Sequence, residues 1–306
     1  TLTSRIRQTV DAIIREKPDM VLTIDSPGFA KRVIKKVRKS NMEHVPKFYH
    51  VVAPQVWAWG EKRAKKFAKI FDKLYSFFEF EKPYFTKYGL STVAVGHPIA
   101  DGLSHYAGAK PDAGSKLITL IPGSRMSEVK KLLPIFRSVA EELHAKYPDY
   151  KFIIPTVETT KKYLRGEVNK WNVRPELVPS AQRYYTYAKS YIAIAASGTV
   201  SAELAILHIP TVVVYKMNSL TMWLAKRIVK TKWVSLVNIL LKKTVYPELL
   251  GDDANPEKII SEVERLSESK NRQKMISELK SADKMWRRGG NKTASRVIAD
   301  DILKSI

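Results

Sequence analysis

The sequence contains no cysteine. That excludes disulfides, thiolate nucleophiles and every Cys-ligated zinc or iron–sulfur centre, and it fits a reducing compartment. No run approaches the ~18 apolar residues of a membrane span. Residues 1–17 are polar and charged and do not read as a signal peptide. There is no Gly-Lys-Ser/Thr loop of the Walker type and no Gly-x-Gly-x-x-Gly, which argues against kinase-type ATP binding and dinucleotide binding. No two histidines have metal-site spacing, and Asp72, Asp252 and Asp253 form no recognisable metal cluster. Acids are scarce too: 30 Asp plus Glu stand against 53 Lys plus Arg, a formal charge of +23.

What is present is a globular balance, with 44% apolar and 27% charged residues. The 306 residues suffice for about two domains. The surplus of positive charge asks for an anionic partner: nucleic acid, an acidic membrane surface or a phosphorylated substrate. The chain opens on Thr rather than Met, so a preceding N-terminal piece is expected.

Short β-branched or apolar runs alternate with longer amphipathic stretches. Strands are predicted at 20–24, 47–53, 73–78 and 92–95, then at 117–121, 152–155, 191–195 and 211–215. Continuous apolar strands separated by helices imply parallel sheets covered on both faces. The clearest helix follows Pro122–Arg125. Val129, Leu132, Leu133, Phe136, Val139, Ala140 and Leu143 recur at helical spacing, and Ser127 is a candidate cap. The Gly-, Ala- and Pro-rich stretch 106–115 reads as a domain boundary. No internal repeat or low-complexity segment is present. The expected fold is α/β, with two Rossmann-like domains and a cleft between them: 1–110, then 111–284.

Two loops follow predicted strands and open predicted helices. Pro122-Gly123-Ser124-Arg125 combines a tight turn, a hydroxyl and a planar guanidinium suited to phosphate oxygens. Ala196-Ser197-Gly198-Thr199 precedes a helix whose free N–H groups and dipole favour an anion. Glu203 lies four residues after Thr199 on the same helical face, where a carboxylate can hold two vicinal ribose hydroxyls. Ser-Gly-Thr before a helix is also an ordinary cap. Asp25 closes the strand at 20–24, where open α/β sheets place ligands. It is either a proton acceptor for an attacking hydroxyl or an Asx-turn residue. His97, in Gly96-His97-Pro98, is a second base, a phosphate donor or a structural histidine.

Two stretches are both aromatic and basic. In the first, Trp57 and Trp59 precede Lys62, Arg63, Lys65 and Lys66; the second spans 219–233. Trp beside Lys and Arg suits a membrane interface with anionic lipid. It also suits single-stranded nucleic acid, or simply a core aromatic pair followed by a solvated basic helix.

In order and spacing, the chain resembles lipid-A-disaccharide synthases, glycosyltransferases of the two-domain GT-B fold. The resemblance is carried by Ile24-Asp25-Ser26-Pro27, Ala53-Pro54-Gln55-Val56-Trp57-Ala58-Trp59 and Phe80-Glu81-Lys82 with Tyr84-Phe85. It continues through Gly96-His97-Pro98-Ile99-Ala100-Asp101, Leu120-Ile121-Pro122-Gly123-Ser124-Arg125 with Glu128, and Ala196-Ser197-Gly198-Thr199 with Glu203. Trp223-Leu224-Ala225-Lys226 and Val234-Ser235-Leu236-Val237-Asn238 complete it.

The resemblance implies transfer from UDP-2,3-diacylglucosamine to 2,3-diacylglucosamine 1-phosphate. The products are the β-1,6-linked lipid A disaccharide 1-phosphate and UDP, with inversion and with no metal or cofactor. It implies a peripheral enzyme on the cytoplasmic face of a Gram-negative inner membrane. Asp25 is then the expected base, with His97 its competitor. Ser124, Arg125, Ser197, Gly198 and Thr199 are expected at the phosphates, Glu203 at the ribose and Asn238 at the donor. Trp57, Trp59, Lys62 and Arg63 are expected on the acceptor and lipid side. By analogy with other GT-B folds, 285–306 is expected to return to the first domain.

Departures from the family pattern are Gly28 in place of a second acid, Ala30, Glu79 and Gly251. A two-carboxylate mechanism is therefore not assigned. The family's opening strand and Gly-Glu-x-Ser-Gly-Asp loop have no counterpart in this sequence. A first domain without that strand is expected to expose an edge and to bind UDP better than it turns over. The competing readings are another GT-B amino-sugar transferase with a lipid-linked acceptor, and a basic nucleic-acid-binding protein, for which no recognition motif appears.

Overall fold

A computed structural model describes residues 1–106, 114–216, 231–287 and 292–305. The expected boundary at 110/111 and the Trp223-containing segment of the second aromatic stretch lie outside these residues. The chain divides into two compact units, Thr1–Pro98 with Met285–Ile306, and Ile99–Lys284.

The first unit begins with α1 (Leu2–Glu16), whose Thr1 hydroxyl accepts from the Ser4 N–H at 3.4 Å. There follow β1 (Met20–Ile24), α2 (Pro27–Val37), β2 (Lys47–Val51) and α3 (Lys62–Ala68). Next come β3 (Lys73–Ser76), α4 (Lys82–Thr86) and β4 (Ser91–Ala94). The four strands are parallel and lie in the order β1-β2-β3-β4. Because the order never reverses, right-handed crossovers place α2, α3 and α4 on one face.

Side chains alternate accordingly. Val21 and Phe48 join Ile6, Val10, Val33, Ile34 and Phe67 in the core beneath the helices. Tyr49, Val51 and Tyr75 point the other way and are covered by the C-terminal helix Ala294–Leu303 through Ala294, Val297, Ile298 and Ile302. Asp301 of that helix accepts from the Tyr75 hydroxyl at 2.7 Å and pairs with Lys73 at 2.5 Å. β1 is the outer strand, and Leu22 and Ile24 on it remain exposed.

The second unit opens with a short helix, α5 (Pro98–Gly102). It continues through β5 (Lys116–Ile121), α6 (Met126–Lys146), β6 (Tyr150–Thr156), α7 (Glu158–Val168) and β7 (Glu176–Pro179). Then come α8 (Arg183–Lys189), β8 (Ile192–Ala196), α9 (Thr199–Ile206), β9 (Thr211–Tyr215), α10 (Leu236–Leu241) and β10 (Glu248–Leu250). Its six parallel strands run β10-β9-β8-β5-β6-β7. The order reverses between β5 and β8, where Ile121 pairs with Ala195. A crevice opens at the carboxyl ends of two such strands because their crossover helices leave on opposite faces. All eight strands predicted from apolar runs are present. β7 and β10, of four and three residues, lie at the sheet's two edges, carry few buried side chains and are not legible as apolar runs.

Candidate active site

The loops after β5 and β8 leave from this switch point and together wall a pocket of about 460 Å³. The reversal of strand order brings 122–125 beside 196–199, although seventy residues lie between them. Gly123, Ser124, Arg125, Ser197, Gly198, Thr199 and Glu203 all line the pocket.

Two backbone features shape its floor. Gly198, the residue before α9, has φ +152°, and α9 carries no side-chain cap. Its leading N–H groups, at Thr199 and Val200, therefore stand at the pocket wall unclaimed by a capping oxygen. Gly123 has φ +109°, and a Cβ there would lie 2.6 Å from Glu128 Oε2 and 3.0 Å from Glu128 Cβ. Glu128 is thus wedged against the turn. It reaches back to the Arg125 N–H at 3.4 Å and pairs with Arg125 Nη1 at 2.7 Å. The start of α6 is capped by this carboxylate; Ser127, the expected cap, sits inside the first turn and makes no capping bond.

We expect Gly123→Ala to cost about 1–3 kcal/mol, since its φ is strained for an L residue and Glu128 must move. Re-aiming Glu128 should also turn Arg125, so a lowered melting temperature should come with weaker UDP binding. Unchanged UDP affinity would show that Arg125 does not touch the nucleotide.

Glu203 is half-buried on α9. Burial pushes its carboxyl above the usual range, opposed by a hydrogen bond from Tyr184 and the charge of Arg183. The Tyr184 hydroxyl donates to Glu203 Oε1 at 3.0 Å and receives Arg183 Nη2 at 2.7 Å. Arg183 is itself steadied by the carbonyl and hydroxyl of Ser180, at 3.1 and 3.2 Å. Arg183 and Tyr184 were not singled out by sequence reasoning, and Glu128 was noted only as part of the family pattern. Arg183 follows the short edge strand β7, and only recognition of that strand marks Ser180–Arg183 as another loop at the sheet's carboxyl end.

Asn238 is not brought to this pocket. It is fully buried, and its amide is consumed inside the unit. Nδ2 donates to the Tyr246 carbonyl and Glu248 Oε1, both at 2.8 Å, and Oδ1 accepts from the N–H groups of Val245 and Tyr246. Its expected place at the donor came from the family resemblance; here its amide is satisfied inside the core.

The remaining expected residues lie in the first unit. Asp25 is exposed at the carboxyl end of β1, and its N–H extends the ladder to the Val51 carbonyl at 3.1 Å. Asp25 and Ser26 both adopt left-handed backbone angles, φ 54° and 46°. Such conformations are strained and concentrate at functional sites. Behind β1, His50 is buried and bonds Thr23 Oγ1 through Nδ1 at 2.6 Å. Burial drives the His50 pKa down to about 4 against the pull of Asp25, so the imidazole is uncharged near neutrality.

His97 is half-buried against Phe77 and Trp286, with ring centroids 4.7 and 6.3 Å away. Its N–H donates to the Trp286 carbonyl at 2.8 Å, which ties β4 to the C-terminal segment.

The two tryptophans diverge. Trp57 turns inward, packs edge-on to Phe80 and donates to Glu81 at 3.3 Å. Trp59 is 45% exposed, with the Arg63 guanidinium 3.5 Å above its ring. Arg63 also donates to the Trp59 carbonyl at 2.8 Å, and Lys62 projects into solvent.

Burial raises the Glu81 carboxyl to about 7 from the usual 4.5, outweighing its bonds from Phe78 and Trp57. Between those two values the folded chain holds a proton that the unfolded chain has lost. Stability should therefore fall as pH rises through that window, by on the order of 3 kcal/mol. Glu81→Gln should flatten the slope. Urea midpoints at pH 5 and pH 8 test this, and equal slopes in both proteins would refute it.

Among the described residues no group of three His, Asp or Glu is placed to hold a metal ion, and no helix is long and apolar enough to cross a membrane.

Two parallel α/β units, one with its pocket at a switch point, define a GT-B-like fold. The UDP-GlcNAc 2-epimerase from Neisseria meningitidis bound to UDP-GlcNAc superposes with a TM-score of 0.64 at 16% identity, over 99% of this chain and 81% of that one. The S. aureus MnaA–UDP co-structure gives 0.66 at 15% identity, over 100% and 79%. At such identities the likeness is one of fold.

Sequence comparison narrows the class. Residues 1–298 match the lipid-A-disaccharide synthetase family. The lipid-A-disaccharide synthase of Rhodospirillum centenum is 37% identical over 317 residues, covering 100% of this chain and 78% of that protein. That of Rickettsia canadensis is 35% identical over 304 residues, covering 97% and 78%. The chain belongs to the lipid-A-disaccharide synthase family and is a glycosyltransferase of lipid A biosynthesis.

Proposed function

We propose that the chain uses UDP-2,3-diacylglucosamine as donor and 2,3-diacylglucosamine 1-phosphate as acceptor. The observation that carries the nucleotide half is the pocket at the β5/β8 reversal, which gathers a guanidinium, uncapped N–H groups and a carboxylate. In this reading Glu203 holds the ribose. Arg125, Ser124, Ser197 and the N–H groups at Gly198–Thr199 surround the diphosphate. Developing charge on a leaving UDP is stabilised best by donors already in place, which need no metal.

Asp25 takes the proton from the acceptor 6-hydroxyl as that oxygen attacks the sugar C1. The C1–O bond to UDP breaks, and the anomeric centre inverts. Trp59 and Lys62, exposed at the start of α3, serve the acyl and headgroup side. Trp57 braces the loop from within, and Arg63 holds Trp59 in place. The chain works at the cytoplasmic face of the inner membrane as a peripheral protein, without further cofactors.

The reading is tested by titrating UDP calorimetrically and by following disaccharide formation from the two lipid substrates in EDTA and in Mg²⁺. UDP binding with equal rates in both is expected. No UDP binding, or activity restored only by Mg²⁺, would overturn it.

A further inference from the structure

The first unit holds a concavity lined by none of the residues assigned above to the glycosyl transfer. A hollow of about 430 Å³ lies between α2 and the end of α3. Its floor is Ile34 and Ile70, and its rim is Lys31, Lys35, Arg38, Lys66 and Lys69. The rim follows from sequence spacing. Lys31 and Lys35 are four apart on α2, and Lys66 and Lys69 three apart at the end of α3, so each pair shares a face. No acid lines the hollow. Residues 27–39 and 62–69 contain no Asp or Glu at all.

Arg38 is a brace. Its Nη1 donates to the Lys69 carbonyl at 3.3 Å and its Nη2 lies 3.6 Å from Asp72. Lys31, Lys35, Lys66 and Lys69 form no ion pair with any described residue. Helix dipoles favour a cation in the last turn, which accounts for Lys35 and Lys66 but not for Lys31 in mid-helix. Four unpaired ammonium groups around one small hollow repel each other in the folded state, a cost that an anion seated there removes.

The chemistry of the hollow selects the anion. Single-stranded nucleic acid needs free aromatic faces for its bases. Here Phe67 and Phe71 are buried, and no aromatic ring lines the hollow. An apolar floor inside a cationic rim fits the headgroup of an amphiphile. Trp59, exposed just before α3, suits the headgroup level of a bilayer.

We infer that the α2–α3 hollow is a binding site for the phosphodiester headgroup of an anionic bilayer lipid and docks this unit on the membrane. The inference rests on the reading of a peripheral enzyme and adds a defined site to it.

The test uses flotation with neutral phosphatidylcholine vesicles and with vesicles carrying phosphatidylglycerol, at physiological salt. The pocket variant is Lys31→Gln, Lys35→Gln, Lys66→Gln and Lys69→Gln together. The charge-matched control is Lys270→Gln, Lys274→Gln, Lys280→Gln and Lys284→Gln, all exposed in the second unit. The wild type should partition onto anionic vesicles only. The pocket variant should lose ten-fold or more, and the control less than three-fold, with UDP affinity unchanged in both.

Equal losses would mean diffuse attraction and overturn the site while leaving the peripheral reading standing. No vesicle binding by the wild type would overturn both. A pocket variant that keeps vesicle binding but loses single-stranded oligonucleotide binding would also overturn the site. Melting temperatures exclude misfolding, and removal of the repulsion should leave the pocket variant at least as stable as the wild type.

Discussion

Asp25→Asn is expected to lower disaccharide formation by roughly 10²–10⁴-fold, the range contributed by a positioned general base. UDP affinity should stay within two-fold, because the nucleotide pocket belongs wholly to the second unit. Asn is the proper replacement. It tolerates the left-handed backbone of this position as Asp does, so a loss of rate reports the missing carboxylate and not a relaxed turn. His50 lies behind the strand with its Nδ1 committed to Thr23 and its pKa depressed by burial, so it offers no charged substitute. A variant retaining more than a tenth of the rate would return the role of base to another group.

Glu203→Ala should weaken UDP binding by about 10- to 150-fold, the equivalent of one hydrogen bond to a charged group at 1.5–3 kcal/mol. Oε1 is held by Tyr184, and Oε2 receives no hydrogen bond from a described residue, so a ribose hydroxyl can take it. Tyr184→Phe should cost less, since it only loosens the orientation that Arg183 and Tyr184 impose. The decisive comparison is between UDP and its 2′,3′-dideoxy analogue. The variant and the wild type should bind the analogue alike, because the ribose hydroxyls that Glu203 would hold are gone. A loss of the same size with both ligands would remove Glu203 from the ribose and make its role structural.

Asp25, Arg125, Thr199 and Glu203 stood out as candidates in the chain because each follows or lies just beyond an apolar run that reads as a strand, and the ends of parallel strands are where ligands sit. Asn238, expected at the donor from the family resemblance alone, shows the limit of reading a position without its partners. A polar residue in an apolar stretch looks the same whether it meets a ligand or, as here, caps four internal groups.

Trp57 and Trp59 show it again. They are neighbours in sequence, yet one is turned inward by Glu81 and the other outward beneath Arg63.

Arg183 was missed because its four-residue strand, Glu176–Pro179, has a single buried side chain and leaves no apolar run.

Local spacing determined which segments became strands and helices, because burial on a sheet or helix face imposes a period of 2 or 3.6 on the side chains. It also determined the four cations of the α2–α3 rim, pair by pair. Tertiary structure decided what spacing does not encode. The β5/β8 reversal sets 122–125 beside 196–199. The return of the C-terminal helix to the first sheet packs Ala294 on Tyr49 and Tyr75. The packing of α3 beside α2 makes one hollow out of two lysine pairs. Each is a long-range contact, set by the order of strands in a sheet and by which face each crossover takes, and those follow from the whole core rather than from any local segment.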